Sequence, residues 1–165
     1  SKAKVQLLGS GTILNEVRRA AEILSEEYGV ASDVFSVTSF NELARDGQDC
    51  ERYNMLHPND AEKVPYIAQV LGNEPVIAAT DYIKNYADQV RAFIPAVSYK
   101  VLGTDGFGRS DSRENLRRHF EVNAGYVVLA ALRELAKQGS IDKQLVADAI
   151  VRFGIDTNKP NPLFA

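Results

Sequence analysis

The sequence predicts an α/β fold, a three-layer αβα sandwich on a mostly parallel sheet. Short β-branched runs alternate along the chain with longer helical periods, the pattern of a largely parallel sheet. Glycines and capping residues punctuate the joints between those runs. The 165 residues, 45% of them hydrophobic, suffice for one compact domain with its own core, taken as residues 1–165.

The first strand is Val5-Gln6-Leu7-Leu8, broken by Gly9-Ser10-Gly11, and Thr12 can cap the helix that follows. Ile13, Val17, Ala20, Ala21 and Leu24 give that helix one apolar face, and Gly29 ends it in the usual position for a left-handed cap. Asp33 to Val37 reads as the second strand. Ser39-Phe40-Asn41-Glu42 is a capping box, in which the serine accepts from the third residue's amide and Glu42 reaches back. The polar stretch from Gly47 to Lys63, punctuated by His57-Pro58-Asn59, reads as a long connection with some helix. Pro65 suits a first helical position, with Gly72 as the stop.

Pro75 to Ala79 is the third strand, and Asp81 caps a helix carrying Ile83, Tyr86, Val90 and Phe93 on one face. Tyr99 to Leu102 is the fourth strand, delivering the chain to Gly103-Thr104-Asp105-Gly106-Phe107-Gly108. A second capping box, Asp111 with Glu114, precedes Leu116 and Phe120. Residues 124–132 carry no charge, so their helix is buried on most sides or lies in an interface. A last helix spans about Asp142 to Phe153, stopped by Gly154, and the tail with Pro160 and Pro162 reads as extended.

The bulk numbers exclude several functions. A net charge of −3 leaves no electrostatic footprint for nucleic acid, and no basic stripe interleaves with aromatics. No apolar run is long enough to cross a bilayer; the longest, Ala124 to Leu132, ends at Arg133 and Glu134. One cysteine, Cys50, forms no internal disulfide and suits a reducing compartment such as the cytoplasm. The start shows no signal peptide and no initiator methionine, as expected of a domain cut from a longer enzyme.

Gly9, Ser10, Gly11 and Thr12 sit where a strand turns into a helix, a place where α/β folds bind phosphate. The dinucleotide fingerprint needs a third small residue three positions on, and Leu14 stands there. A tight turn explains the two glycines better. Asp105-Phe107 with Gly108 resembles the kinase triplet only by coincidence, since the other kinase motifs are missing. The loop after the fourth strand, with Thr104, Asp105, Phe107, Arg109, Asp111 and Arg113, combines glycines, both charges and an aromatic ring. It is either a structural connection whose charges pair locally or an interface loop.

The two histidines point to no site. His119 lies beside Arg117 and Arg118, where a polar solvent face is expected, and His57 with Cys50 matches no zinc spacing. No Gly-x-Ser-x-Gly elbow surrounds a serine, and Cys50 has mixed-charge neighbours with no activating group. Residue chemistry alone describes an α/β domain without a self-sufficient active site.

Four long runs are more specific. They are Lys4 to Gly11; Val37 to Phe40 continuing through Glu42 to Arg52; Val64 to Val70; and Val101 to Leu116, which reads Val-Leu-Gly-Thr-Asp-Gly-Phe-Gly-Arg-Ser-Asp-Ser-Arg-Glu-Asn-Leu. In these runs, in this order, the chain resembles the C-terminal third of the bacterial, homodimeric decarboxylating components of pyruvate dehydrogenase complexes. That resemblance implies a transketolase-like C-terminal domain with about five strands, one of them antiparallel. The fifth strand would fall near 119–122 or in the tail.

It also implies a whole enzyme that decarboxylates pyruvate on thiamine diphosphate and Mg²⁺ and passes the acetyl group reductively to a lipoyl group. In the family the cofactor lies between the N-terminal and middle domains of two subunits. This sequence has no Gly-Asp-Gly followed by Asn-Asn, the metal-holding pattern, so no catalytic, cofactor or metal residue carries over. The implied role is a non-catalytic assembly and dimerisation domain. Its partners would be the N-terminal and middle domains, the second subunit of the homodimer and the dihydrolipoyl acetyltransferase core. Candidate contacts are the loop above and the uncharged helix. The alternatives are a docking module for the acetyltransferase and a stand-alone module binding a small anion or nucleotide at Gly9 to Thr12.

Overall fold

The computed structural model describes residues 2–104 and 113–164. Its strands are β1 (Lys4–Gly9), β2 (Ala31–Ser36), β3 (Val76–Ala79) and β4 (Tyr99–Leu102). Its helices are α1 (Leu14–Tyr28), α2 (Phe40–Leu56), α3 (Tyr66–Val70), α4 (Lys84–Asp88), α5 (Arg113–His119), α6 (Ala124–Lys137) and α7 (Lys143–Arg152). The four strands pair in the order β2-β1-β3-β4, and every pairing is parallel.

Side chains alternate across the pleat, so each strand feeds two cores. Val5 and Leu7 of β1 and Ile77 of β3 join Ile13, Val17, Ala20 and Leu24 of the first helical face, with Val127, Val128, Ala131 and Leu132 of α6 closing that side. Leu8, Val76, Ala78, Tyr99 and Val101 face the other way onto Phe40, Ala44, Ile67, Ala87, Val90 and Phe93. This is the expected three-layer sandwich: α1 and α6 cover one face, α2 to α4 the other. The uncharged run 124–132 is therefore used inside the fold, as the buried half of α6.

Several joints form through local caps, those at Gly29, Ser39 and Gly154 as the sequence suggests. Gly29 is left-handed with φ 64, and Gly154 with φ 62. Ser39 Oγ accepts from Glu42 N at 3.1 Å, Asn123 Oδ1 from Tyr126 N at 3.1 Å, and Asp142 Oδ1 from Gln144 N at 2.8 Å. Glu42 turns to Arg45, 2.6 Å away, and completes only half of the expected box.

Other expectations are corrected. The stretch after Gly47 is helix through to Leu56, ending where His57-Pro58 was read as punctuation. Tertiary packing explains this: a Cβ at Gly47 would come within 2.5 Å of the Phe93 ring, so the missing side chain lets α2 close against the segment after α4. Pro65 lies one residue ahead of α3, which stops at Val70 with Leu71 as its cap, before Gly72. Ile83 does not join the inward face; it precedes α4 in extended backbone and is 53% exposed.

Among the described residues no fifth strand accompanies the four. Residues 119–122 finish α5 and turn through Glu121, whose φ is 63, with Val122 N donating to Arg117 O. The tail ends in a 3₁₀ turn, Pro162–Phe164, and Lys159 ties it to the carbonyls of Arg118 and His119.

Candidate functional site

The strand order places a topological switch point between β1 and β3. The chain leaves β1 for β2 on one side and returns to β3 on the other, and sheets of this kind bind ligands in the crevice that opens there. Register levels the strand ends: Gly9 pairs with Ser36 and with Ala79, and Ala79 pairs with Leu102. Residues 10–12, 80–82 and 103–104 therefore emerge side by side.

The two glycines of the first turn act differently. A Cβ on Gly9 would lie 3.0 Å from Leu14 Cδ1 and Val17 Cγ2, so its absence lets the helix close on the strand. Gly11 has φ +62 with nothing near its missing Cβ, so it supplies a left-handed turn. The turn then enters a single 3₁₀ loop, Gly11–Ile13, ahead of α1, with no side-chain cap. Thr12 is not the cap that the sequence suggested.

Its hydroxyl is used across the crevice. Thr12 Oγ1 donates to Asp81 Oδ2 at 2.7 Å and accepts from Arg117 Nη2 at 2.8 Å. Asp81, also read as a cap, instead takes Arg117 Nη2 at 3.3 Å, and its backbone oxygen accepts from Thr104 Oγ1 at 2.8 Å. Beneath them Ser10 Oγ donates to the fully buried Thr80 Oγ1 at 3.0 Å, which also accepts from Tyr82 N at 3.1 Å. Glu16, on the first turn of α1, holds an oxygen 4.0 Å from Arg117 Nη1. The switch point is filled by a guanidinium from α5, with its side chain 12% exposed and its Nε buried without a hydrogen-bond partner.

Of the candidate interface loop, Thr104 is described: its N donates to Tyr82 O at 2.9 Å, beside the bond to Asp81. Arg113 begins α5. Asp105, Phe107, Arg109 and Asp111 lie outside the described residues. The loop's two flanks nonetheless converge, since Thr104 and Arg117 both bind residue 81.

His119 is half-buried at the end of α5, edge-on to Phe120, and does not lie on an open polar face. His57 stacks on Tyr53 with ring centroids 4.0 Å apart, and Cys50 is buried, its thiol pushed up by burial and by Asp46. Among the described residues no three His, Cys, Asp or Glu side chains converge as a metal would require, and no helix is long and apolar enough to cross a membrane.

Two concavities stand out among the described residues. One, of about 760 Å³, lies between α1, α5, α6 and the segment after α7, with Arg19, Arg118 and Lys159 facing Glu114 and Asp156. The other, about 490 Å³, is an apolar groove of Phe35, Val37, Leu43, Tyr66, Val70 and Leu71. Two of its lining residues are exposed apolar side chains, Tyr66 at 61% and Val70 at 41%.

A family model for the transketolase-like C-terminal domain matches residues 1–123. The chain belongs to the transketolase C-terminal-domain family. Within that family it is 69% identical, over all 165 of its residues, to the pyruvate dehydrogenase E1 component of Escherichia coli K12. It is 62% identical to the component of that name from Haemophilus influenzae over 164 residues, and 57% identical to the one from Pseudomonas aeruginosa over 161. These alignments cover 96–100% of the chain but only 18–19% of each relative, so this transketolase C-terminal domain spans about a fifth of their length. α6 and α7 lie beyond the matched region, yet α6 is part of the same core as α1.

Proposed function

We propose that the chain is the C-terminal assembly domain of a pyruvate dehydrogenase E1 component, and that it shapes the enzyme without performing the chemistry. The observation carrying this reading is identity of 69% along the whole chain with an E1 component five times its length. The whole enzyme would decarboxylate pyruvate with thiamine diphosphate and Mg²⁺, in the cytoplasm, as a homodimer, and hand the acetyl group to the lipoyl-bearing acetyltransferase core.

The described residues do not fit that cofactor. A magnesium diphosphate needs converging oxygen ligands for the metal and donors for the phosphates. The switch point instead presents two carboxylates already engaged by Arg117. No step of the reaction is therefore assigned to this chain. Its contribution is surface: the apolar groove of Phe35, Val37, Leu43, Tyr66, Val70 and Leu71 supports contact with the rest of the same enzyme, because a domain apart from its neighbours displays their apolar interface. The loop from Thr104 to Arg113 is a second contact, for the partner subunit or the acetyltransferase.

Calorimetry tests the division of labour. Thiamine diphosphate with Mg²⁺ should give saturable heat with the full-length enzyme and none with the 165-residue chain. Tight, Mg²⁺-dependent binding by the chain alone would overturn the assignment. For the loop, Arg109→Glu with Arg113→Glu should weaken capture of the acetyltransferase core while leaving pyruvate decarboxylation intact; unchanged capture removes the loop from that interface.

A further inference from the structure

The crevice between β1 and β3 is the place where a sheet of this topology would hold a ligand, and its lining is not that of an anion site. The groups that face it are acceptors: Thr12 Oγ1, Asp81 Oδ2 and Glu16 Oε1. Two of the three are carboxylates, which would repel a phosphate approaching the Gly9 to Thr12 turn. A planar cation with several N–H donors suits them, and one is present. Arg117 reaches across 105 residues of sequence to Thr12, its Nη2 shared between the hydroxyl and Asp81 and its Nη1 turned toward Glu16.

We propose that the switch-point crevice is a guanidinium-recognition site whose resident ligand is the chain's own Arg117. The site is an intramolecular counterpart of a binding pocket: the acceptors are set by the turns after β1 and β3 and by the first turn of α1, and the occupant is delivered by α5. Its fork geometry matters, because a lysine ammonium is a point charge that cannot address the hydroxyl and both carboxylates together. Arg117 is thereby the positioning residue that fixes α5 against the sheet. This inference stands apart from the enzyme assignment above and holds or fails without it.

Chemical rescue tests it in the 165-residue chain. Arg117→Ala should lower the thermal midpoint, and millimolar guanidinium chloride should restore at least half of the loss, saturably. Neither ammonium chloride nor sodium chloride at equal concentration should do so. Wild type, whose site is filled, should show no rise. Asp81→Asn in the same background should abolish the rescue. If Arg117→Ala does not fold, guanidinium should raise its refolding yield where ammonium does not, and Arg117→Gln, which keeps part of the stem, should show the same midpoint recovery. Absence of selective rescue in both variants overturns the proposal. So does saturable stabilisation of either variant by inorganic phosphate in place of guanidinium.

Discussion

Gln6 shows how one polar residue inside a strand can hold distant chain. It is 2% exposed, yet its amide donates to Gly72 O at 3.0 Å and Glu74 O at 2.9 Å and accepts from Gly72 N at 2.8 Å. These bonds fasten the turn that leads into β3. Gln6→Leu would leave those backbone groups without their partner, and urea denaturation should show a loss of about 2–3 kcal/mol. Gln6→Glu should be worse, because a carboxylate can accept from Gly72 but cannot donate to either carbonyl.

Tyr99 makes the fold sensitive to alkali. Its phenol donates to Ala87 O at 2.7 Å. Burial pushes its pKa well above the ordinary tyrosine value, against a smaller downward pull from Arg91. Tyr28 and Tyr126 are raised too, in each case first by burial. Below about pH 10 the phenols are protonated in both folded and unfolded chains, and this contribution is complete. Above that, the unfolded chain releases protons that the folded chain keeps, so stability falls as pH rises. Tyr99→Phe should flatten that fall in denaturation curves taken across the alkaline range, at a cost of about 1 kcal/mol near neutrality for the lost bond.

At the scale of elements, α2 is where local rules and tertiary packing diverge. Its middle, Asp46-Gly47-Gln48-Asp49, has little helical character, and no periodicity in the polar run shows that Phe93 will lie against Gly47. Alanine is intrinsically the better helix former by about 1 kcal/mol. Gly47→Ala should nevertheless destabilise the chain, by roughly 1–3 kcal/mol of overpacking, and Phe93→Leu in the same chain should recover part of it. A stabilised Gly47→Ala variant in thermal melts would show that the close approach is not maintained in solution.

β1, β3 and β4 are legible because their apolar runs are buried, and β4 matches its expected span residue for residue, whereas the largely exposed edge strand β2 runs Ala31–Ser36, two residues earlier than its expected start. Gly29 and Ser39 are legible because each serves a neighbour within a few positions. Thr12 and Asp81 were misread for the opposite reason. Each has the residue type and the place of a cap, but Thr12's partners are 69 and 105 residues away. Arg117 offered no signal at all beyond being one arginine beside another.

At the scale of the molecule, helices cover β1, β3 and β4 on both faces, while the edge strand β2 stays largely exposed. Met55 is the only methionine and is 72% exposed. In the full-length enzyme it should be oxidised by hydroxyl radicals several-fold more slowly than in the isolated chain, as read by mass spectrometry. Equal rates would place the contact with the rest of the enzyme elsewhere. Protection appearing only when the acetyltransferase is added would assign the surface at Met55 to that partner.

The double attachment at Asp81 makes the fold insensitive to what connects the two attached pieces. Thr104 and Arg117, on either side of residues 105–112, are each moored to it. Lengthening a closed loop costs only about 0.6 kcal/mol per doubling. A flexible glycine-serine insert after Phe107 should hardly move the melting temperature, while scrambling whatever recognition that stretch performs. Stability and any binding by that stretch can then be varied independently.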